Sequence, residues 1–265
     1  METTTYTLIT GGTDGIGREL AKLFASDGHN LILVARNEEE LAETKLELSA
    51  KGINVVTIAK NLFDAEAPFE LYNEIKQLNL TVDILVNNAG QGQYGLFAES
   101  DIRRQLEIVQ LNCSSLITLS HLFIQDMLER GEGKMLNLSS IASKSPGPWQ
   151  AVYHATKAFV QSFTEALRSE VKEKNITVTA LLPGVTDTDF FNKADMNDSK
   201  AVQDKEKMAD PAKVAKDGYD ALMRGDDMVV SGFKNKATVA MSNLMPDHSN
   251  ADMMKKLQAP VNEKN

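Results

Sequence analysis

Short apolar runs alternate with amphipathic stretches along most of this chain. The strand-like runs lie at Leu31–Ala35, Val55–Ala59, Val82–Val86, Lys134–Leu138 and Ile176–Leu182. Each of them stands between stretches whose apolar residues recur at helical spacing. The alternation predicts repeated βαβ units on a parallel sheet.

The N-terminal run from Tyr6 to Gly17 combines a short β-rich strand, a glycine-dense turn and the start of a helix. The helix is predicted to end near Asp27 and is indicated by the apolar positions Ile16, Leu20, Leu23 and Phe24. Gly11, Gly15 and Gly17 let the backbone approach a pyrophosphate, which the free N–H groups and macrodipole of a helix N-terminus favour. This order predicts a dinucleotide site, although a purely structural connection has the same composition.

Composition and charge narrow the class of protein. With 265 residues, 42% of them apolar, and no Pro/Gly/Ser-rich linker, the chain is predicted to form one domain over residues 1–265. A net charge of −9 without a Lys/Arg run argues against nucleic acid as a partner. No stretch approaches the roughly 20 apolar residues of a membrane span.

A single cysteine, Cys113, permits no intrachain disulfide and fits a cytoplasmic location, and we expect it to be a small buried apolar residue.

Tyr153 and Lys157 stand four residues apart, so on a helix they share one face. A phenol with its reference pKa of about 10 gives up its proton reluctantly, and proton transfer works best when the donor pKa lies near the operating pH. A nearby ammonium stabilises the phenolate and therefore favours proton donation. The alternative interpretation of this spacing is an ordinary solvated helix face.

The second predicted strand ends at Ala35 and Arg36, about 20 residues after the glycine turn, where an NAD site normally keeps an acidic residue. A guanidinium pairs with a 2′-phosphate that a carboxylate would repel, so the sequence predicts NADP(H) as the cofactor. The alternative is that Arg36 is a solvated charge. Asp14 weakens the prediction, because its negative charge in the turn would lower the affinity for the 2′-phosphate.

Several separated motifs resemble the short-chain dehydrogenase/reductase family in its single-domain form, over roughly Thr5 to Val230. Thr10–Gly17 matches the family's Thr-Gly-x-x-x-Gly-x-Gly turn, and Asn87–Gly90 matches its Asn-Asn-Ala-Gly segment. The resemblance implies a single-domain Rossmann fold, an α/β structure with a doubly wound parallel sheet of about seven strands and helices on both faces.

The resemblance also implies the site residues. Asn112, Ser140, Tyr153 and Lys157 follow the order and spacing of the family's catalytic tetrad, and Ser140 is preferred over Ser139 because it lies thirteen residues before Tyr153. The implied cofactor contacts are Gly11, Thr13, Asp14, Gly15, Ile16, Gly17, Arg36, Asn61, Leu62, Asn88, Ala89, Gly90, Tyr153, Lys157, Pro183, Gly184, Thr186 and Thr188. Asn61 departs from the family, which usually has Asp there, but an amide still donates and accepts hydrogen bonds.

By the same resemblance, the activity is hydride transfer between NADPH and a carbonyl carbon. Tyr153 would protonate the oxygen, Ser140 would donate a hydrogen bond to it, and Lys157 would hold the nicotinamide ribose and depress the phenol's pKa. Asn112 would position a water that links Lys157 to solvent. The reverse reaction, oxidation of a secondary alcohol, would use the phenolate as the base.

Substrate walls are expected from Gln91–Leu96, Ser143–Trp149 and Val185–Phe191. Within them Tyr94, Trp149 and Phe190 indicate an apolar or aromatic carbonyl substrate, unless these side chains belong to the core. The polar residues 185–210 suit a segment that closes over cofactor and substrate, and a plain exposed connection is the alternative.

Two regions bear on assembly. Ile102–Met127 has a long helical pattern, and Phe159, Phe163 and Leu167 form an apolar stripe on the helix that carries Tyr153. In relatives these helices often form subunit contacts, so a homodimer or homotetramer is expected, although a buried helix needs the same stripe. The methionine-rich tail, residues 232–265, is expected to be helical and to pack on the domain, cover the pocket or dock on a neighbouring subunit.

Competing functions fit the sequence less well. A non-catalytic NADP(H)-sensing regulator would keep the glycine turn and Arg36 but would not need the complete tetrad. A serine hydrolase is disfavoured because no Gly-x-Ser-x-Gly motif surrounds the serine pair. A sugar-nucleotide epimerase would need a larger C-terminal domain.

The histidines lack metal-ligand spacing, so no metal site is predicted and surface or capping roles are expected for His29, His121, His154 and His248.

Overall fold

The computed structural model of the protein describes residues 4–242 and 244–261; the remaining residues of the predicted domain and tail lie outside the described ranges. Within these ranges seven strands form one parallel sheet: β1 Thr5–Thr10, β2 Asn30–Ala35, β3 Val55–Ala59, β4 Thr81–Asn87, β5 Gly133–Leu138, β6 Ile176–Leu182 and β7 Met228–Val230. Their order across the sheet is β3-β2-β1-β4-β5-β6-β7. The predicted doubly wound α/β fold is confirmed.

Helices cover both faces of the sheet. They are α1 Gly15–Ser26, α2 Glu38–Ser49, α3 Ala67–Gln77, α4 Ile102–Val109, α5 Ser115–Arg130, α6 Ala151–Val171, α7 Phe190–Lys193, α8 Pro211–Arg224, α9 Phe233–Ser242 and α10 Asp247–Gln258. Apolar residues of α1, α2 and α8 pack in one buried cluster, and those of α3, α5 and α6 pack in another. Because both faces are covered, most side chains of the strands are buried, and β2 is apolar from Leu31 to Ala35.

The strand order reverses between β1 and β4, which are neighbours in the sheet. The loops after these two strands therefore run to opposite sides, and a crevice opens at their carboxyl ends. Asn88, just beyond β4, closes the base of this crevice, because its side-chain amide donates to the carbonyl oxygens of Thr10 at 2.9 Å and Gly11 at 3.0 Å. The fold thus places the two motifs found in the sequence side by side.

The long helical pattern predicted over Ile102–Met127 is confirmed, and the structure adds one irregularity in its middle. A π-helical turn, Gln110–Ser114, separates α4 from α5, which runs on to Arg130. Such turns add one residue to a helix and are frequent at functional sites. An apolar pattern does not record a single added residue. The turn carries Asn112, whose side chain donates to the carbonyl of Gln91 at 2.8 Å.

The segment after β6 and the tail are structured in the described residues. The segment Val185–Asp210, called the lid segment after its predicted role, contains α7 and packs around its own buried residues Ala194, Met196 and Val202. The tail forms α9 and α10, as predicted, and α10 contacts the lid segment. No helix within the described ranges is both long and apolar enough to cross a membrane.

Candidate active site

One cavity of about 1090 Å³ lies at the carboxyl ends of the strands. Its walls come from the loops that follow β1 to β6, together with the lid segment and the tail. The predicted site residues that line it are Gly11, Thr13, Asp14, Gly15, Ile16, Arg36, Leu62, Asn88, Ala89, Gly90, Ser140, Tyr153, Lys157, Pro183, Gly184, Thr186, Thr188 and Phe190. The fold therefore brings most of the predicted residues to one site.

Ser140 stands directly after β5 in the wall of this cavity and is buried. Its hydroxyl accepts a hydrogen bond from the Ala142 backbone N–H at 3.1 Å and donates to the Pro183 carbonyl at 3.3 Å. The neighbouring Ser139 instead donates its hydroxyl to the Lys157 carbonyl at 3.0 Å. Both serines line the cavity, and the catalytic role of Ser140 stays a prediction.

Tyr153 is half-buried near the start of α6, and its ring packs against that of Phe190 at a centroid distance of 5.1 Å. Burial raises the pKa of Tyr153 to about 12, and the hydrogen bond with Ser140 acts in the opposite direction. This is the reverse of the predicted depression of the pKa by Lys157. Desolvation disfavours the phenolate, and it outweighs an ammonium that lies 5.8 Å from the ring centre.

Lys157 is buried one helical turn further along α6 and donates from Nζ to the Leu138 carbonyl at 2.8 Å. Burial lowers the pKa of Lys157 to about 8. A methyl group at Gly90 would lie 3.3 Å from both Lys157 Nζ and Asn112 Oδ1, so only a glycine leaves this space open between them. The ammonium therefore faces the loop after β4.

Asn112 lies behind the cavity wall. Its Oδ1 accepts from the Gln91 N–H at 2.9 Å, and its Nδ2 donates to Thr156 Oγ1 at 3.0 Å as well as to Gln91. Both amide protons are used, so the side chain ties the loop after β4 to α6. The predicted water relay through Asn112 stays a prediction.

The glycine turn fits the phosphates of a dinucleotide, since it leaves no room for side chains. Gly11 and Gly15 have φ of +65° and +52°, which L side chains rarely adopt. A methyl group at Gly17 would lie 2.1 Å from the Gly11 carbonyl oxygen, so Gly17 supports the turn without lining the cavity. The backbone can therefore approach a ligand closely at the start of α1.

Asp14 caps α1, accepting a hydrogen bond from the Gly15 N–H at 2.7 Å. Its other carboxylate oxygen pairs with Lys193 of the lid segment at 3.3 Å, and Lys193 also pairs with Asp189 at 2.9 Å. Thr188 packs on the same turn, because a methyl at Gly15 would lie 2.8 Å from its Cγ2. The lid segment thus rests on the glycine turn and supplies a cation beside Asp14, which sequence analysis missed.

Arg36 is exposed at the end of β2, and its guanidinium carbon lies 5.2 Å from the centre of the Phe63 ring. Arg104 approaches the same ring at 5.0 Å, so two cations flank one aromatic side chain. Glu40 lines the cavity nearby and accepts a hydrogen bond from Thr13 at 3.0 Å. Phe63 gives the guanidinium a fixed support, which no sequence motif indicated.

Asn61 does not line the cavity. It is exposed and its Oδ1 accepts from the Phe63 N–H at 3.5 Å, whereas the adjacent Leu62 is buried and lines the cavity. The carbonyl of Leu62 accepts a hydrogen bond from Ser115 Oγ at 2.6 Å. Of the pair predicted at the adenine, only Leu62 faces the space.

Among the predicted substrate residues, only Phe190 lines the cavity. Tyr94 and Trp149 stack on each other with ring centroids 5.9 Å apart, away from it. The Tyr94 hydroxyl donates to the carbonyl of Gln258, at the end of α10. Tyr94 therefore contacts the tail, and Trp149 stacks on Tyr94; both rings are half-buried.

Gln258 and His154 form a buried junction that the sequence did not indicate. The Gln258 carbonyl also accepts from Ser199 Oγ at 3.1 Å, and the Gln258 side-chain amide lies 3.0 Å from His154 Nε2. His154 Nδ1 faces the Ser145 carbonyl at 2.8 Å, so Nδ1 carries the proton and Nε2 accepts from Gln258. Burial lowers the pKa of His154, which favours this neutral form.

The surface or capping role expected for His154 is therefore wrong, because the helix that carries Tyr153 turns this side chain inward.

Cys113 is buried as predicted, and burial raises the pKa of its thiol to about 11. Within the part of the chain that the structure describes, no group of three His, Cys, Asp or Glu side chains is arranged to hold a metal ion.

Comparison with known sequences identifies relatives over most of the chain. A family model described as short chain dehydrogenase matches residues 5–199. The chain is 36% identical over 185 residues to sulfoacetaldehyde reductase 2 of Chromohalobacter salexigens, covering 69% of this chain and 73% of that protein. It is also 36% identical over 180 residues to the very-long-chain 3-oxoacyl-CoA reductase of Laccaria bicolor, covering 66% of this chain but only 53% of the relative.

Comparison with solved structures agrees with the fold. A short-chain dehydrogenase from Sphingobium yanoikuyae, solved in complex with NADPH, matches with a TM-score of 0.81. The match covers 98% of this chain and 99% of the other at 24% sequence identity. At this identity the likeness establishes the common architecture.

Proposed function

This chain belongs to the short-chain dehydrogenase/reductase family of oxidoreductases that act on alcohol and carbonyl groups, and from this premise we propose that it is an NADPH-dependent carbonyl reductase. In the reverse direction it oxidises the corresponding secondary alcohol. One observation carries the proposal. Ser140, from the loop after β5, and Tyr153 and Lys157, from α6, line the same cavity as the glycine turn after β1.

The three side chains divide the proton chemistry among them. Tyr153 donates its phenolic proton to the carbonyl oxygen, and Ser140 donates a hydrogen bond where negative charge develops on that oxygen. Lys157 carries positive charge near the phenol, which stabilises the phenolate left after proton transfer. When bound, NADP(H) supplies or accepts the hydride at the substrate carbon.

The preference for NADP(H) over NAD(H) rests on Arg36. Its guanidinium lines the cavity after β2 and is supported by the Phe63 ring, in the position where NAD sites carry an acid. The negative charge of Asp14 disfavours binding of a 2′-phosphate, and Lys193 offsets that charge through an ion pair. The Sphingobium yanoikuyae relative binds NADPH within the same architecture.

The substrate is a small to medium carbonyl compound with an apolar body. Phe190 packs directly on Tyr153, and further apolar side chains from the lid segment and α10 line the cavity, among them Phe191, Met196, Met254 and Leu257. Burial of this surface against an apolar substrate excludes water from the phenol. The tail thus serves as a cover of the pocket, and the chain acts as one domain with residues 185–210 as its lid.

The direct test is a screen of NADPH oxidation over ketones, aldehydes, quinones and acyl-thioester ketones. We expect turnover of at least one class, measured by loss of NADPH absorbance and identification of the alcohol product. NADH in place of NADPH gives the cofactor preference in the same assay. Tight NADPH binding without turnover of any class would instead favour a non-catalytic NADP(H)-sensing protein.

We further propose a homodimer or homotetramer in the cytoplasm. Large apolar side chains on α4 and α6 are exposed, with 54% of Ile102, 60% of Leu106 and 42% of Phe159 accessible. Burying them between subunits is favourable by about 25 cal/mol per Å² of apolar surface. Sedimentation velocity is expected to give the mass of two or four chains, and a monomer at micromolar concentration would contradict this assembly.

A further inference from the structure

The cavity carries a charge bias opposite to that of the whole protein. The chain has a net charge of −9, yet seven basic and three acidic side chains line the cavity. The basic ones are Arg36, Lys60, Lys157, Lys193, Lys200, Lys207 and Lys256, and the acidic ones are Asp14, Glu40 and Asp204. A cleft with an excess of positive charge attracts anions, and the cations that no carboxylate offsets contribute most to this attraction.

Most of these cations are already engaged. Lys193 pairs with Asp14 and Asp189, Lys207 pairs with Asp204, and Lys60 pairs with two glutamates of α3. Arg36 and Lys157 have the roles argued above. Within residues 4–242 and 244–261, Lys200 and Lys256 are the lining cations without an ion pair and without an assigned role.

Buried contacts hold these two lysines at one junction. The Lys200 N–H donates to the Ala259 carbonyl at 3.0 Å, and the preceding Ser199 donates its hydroxyl to Gln258 at 3.1 Å. Ser199 also forms an antiparallel bridge with Pro260. Lys256 lies two residues before Gln258 in α10. Both lysine side chains thus start from backbone that is fixed where the lid segment meets the tail.

The surroundings of this junction resemble a site for an amphipathic molecule. Met254 and Leu257 of α10, with Met196 and Ala201 of the lid segment, line the same cavity as the two lysines. Ammonium groups beside an apolar lining suit a ligand with an apolar body and an anionic end.

We propose that Lys200 and Lys256 bind an anionic group of the substrate, so that the preferred substrates are carbonyl compounds with a carboxylate or similar acid group beyond an apolar spacer. The inference rests on the proposed carbonyl reductase function and specifies its substrate class. Attraction between these two lysines and the anionic group of the substrate should lower KM. This attraction weakens as the ionic strength rises.

The test compares matched substrates. Methyl ketones ending in a carboxylate, with spacers of increasing length, are each assayed beside their methyl esters, which remove the charge and keep the carbonyl. For the best spacer we expect kcat/KM of the acid to exceed that of the ester about tenfold, equivalent to about 1.4 kcal/mol. The Lys200→Gln/Lys256→Gln double variant should bring this ratio close to one, while turnover of the ester stays within about twofold.

Lys255→Gln is the matched control, because Lys255 is exposed on the same helix but does not line the cavity. It should leave the acid-to-ester ratio unchanged. Equal kcat/KM for acid and ester in wild type, or a ratio that survives the double variant, would overturn the proposal. An increased Kd for NADPH in the double variant with an unaltered ratio would assign the lysines to the cofactor and would also overturn it.

A binding measurement separates this inference from the proposed function. Calorimetric titration of acid and ester into the protein with NADP⁺ requires no turnover. Tighter binding of the acid that is lost in the double variant would support the anion site even if no carbonyl were reduced. Reduction of the esters with no preference for the acids would leave the reductase function standing and refute the anion site.

Discussion

Replacing Tyr153 with phenylalanine is expected to lower kcat for carbonyl reduction by about a thousandfold, the usual contribution of a positioned general acid. The substitution removes only the hydroxyl that donates the proton, while the ring keeps its packing against Phe190. Kd for NADPH should stay within about twofold, since the other groups that line the cofactor side of the cavity are untouched. Steady-state kinetics together with fluorescence titration of NADPH measures both quantities.

Tyr72→Phe is the matched control, because it removes a phenolic hydroxyl that bonds Asp126 at 3.0 Å, away from the cavity. Its kcat should match the wild-type value. If Tyr153→Phe turned over an accepted ketone at a near-normal rate, Tyr153 would not be the proton donor. Loss of NADPH binding in the same variant would point to a structural role.

The raised pKa of Tyr153 predicts how the reaction rates depend on pH if Tyr153 is the proton donor. With a pKa of about 12 in the protein alone, the phenol is protonated at neutral pH, so reduction is not limited by loss of this proton. Alcohol oxidation needs the phenolate, whose fraction grows about tenfold per pH unit below the pKa. The oxidative rate should therefore rise with pH through the neutral range.

Much of the fold could be predicted because its signals are local. The strands β2, β3 and β6 are mostly apolar runs rich in β-branched residues, and the glycine turn marks the start of α1. The π-helical turn at Gln110–Ser114 escaped prediction, because one added residue leaves the apolar pattern of the flanking helices nearly unchanged. In the structure, this turn carries Asn112, whose side chain donates a hydrogen bond to the Gln91 carbonyl in the loop after β4.

The site was predictable to the extent that its residues belong to motifs. Ser140, Tyr153 and Lys157 have a motif's fixed spacing and could be predicted to share one site, whereas the junction of His154 with Gln258 joins residues 104 apart in the chain. Lys193 and Asp14 are likewise 179 residues apart. Such contacts depend on how the lid segment and tail fold back over the cavity, and no periodicity encodes that path.

Arg36→Glu tests whether Arg36 sets the preference for NADP(H) over NAD(H). The guanidinium is expected to form charge-assisted hydrogen bonds to the 2′-phosphate, each worth about 1.5–3 kcal/mol, and a carboxylate would also repel the phosphate. We therefore expect kcat/KM with NADPH to fall about a hundredfold. With NADH it should rise, because a carboxylate accepts hydrogen bonds from ribose hydroxyls.

The result is best expressed as the ratio of kcat/KM for the two cofactors with one substrate. Arg103→Glu makes the same charge change on α4 at an exposed position outside the cavity, so it controls for net charge. Equal shifts in both variants would indicate a long-range electrostatic effect, which salt at about 0.1 M should screen beyond about 10 Å. An unchanged ratio in Arg36→Glu would transfer the discrimination to other cations of the cavity, with Lys193 the first to examine, because it already balances Asp14 at the phosphate turn.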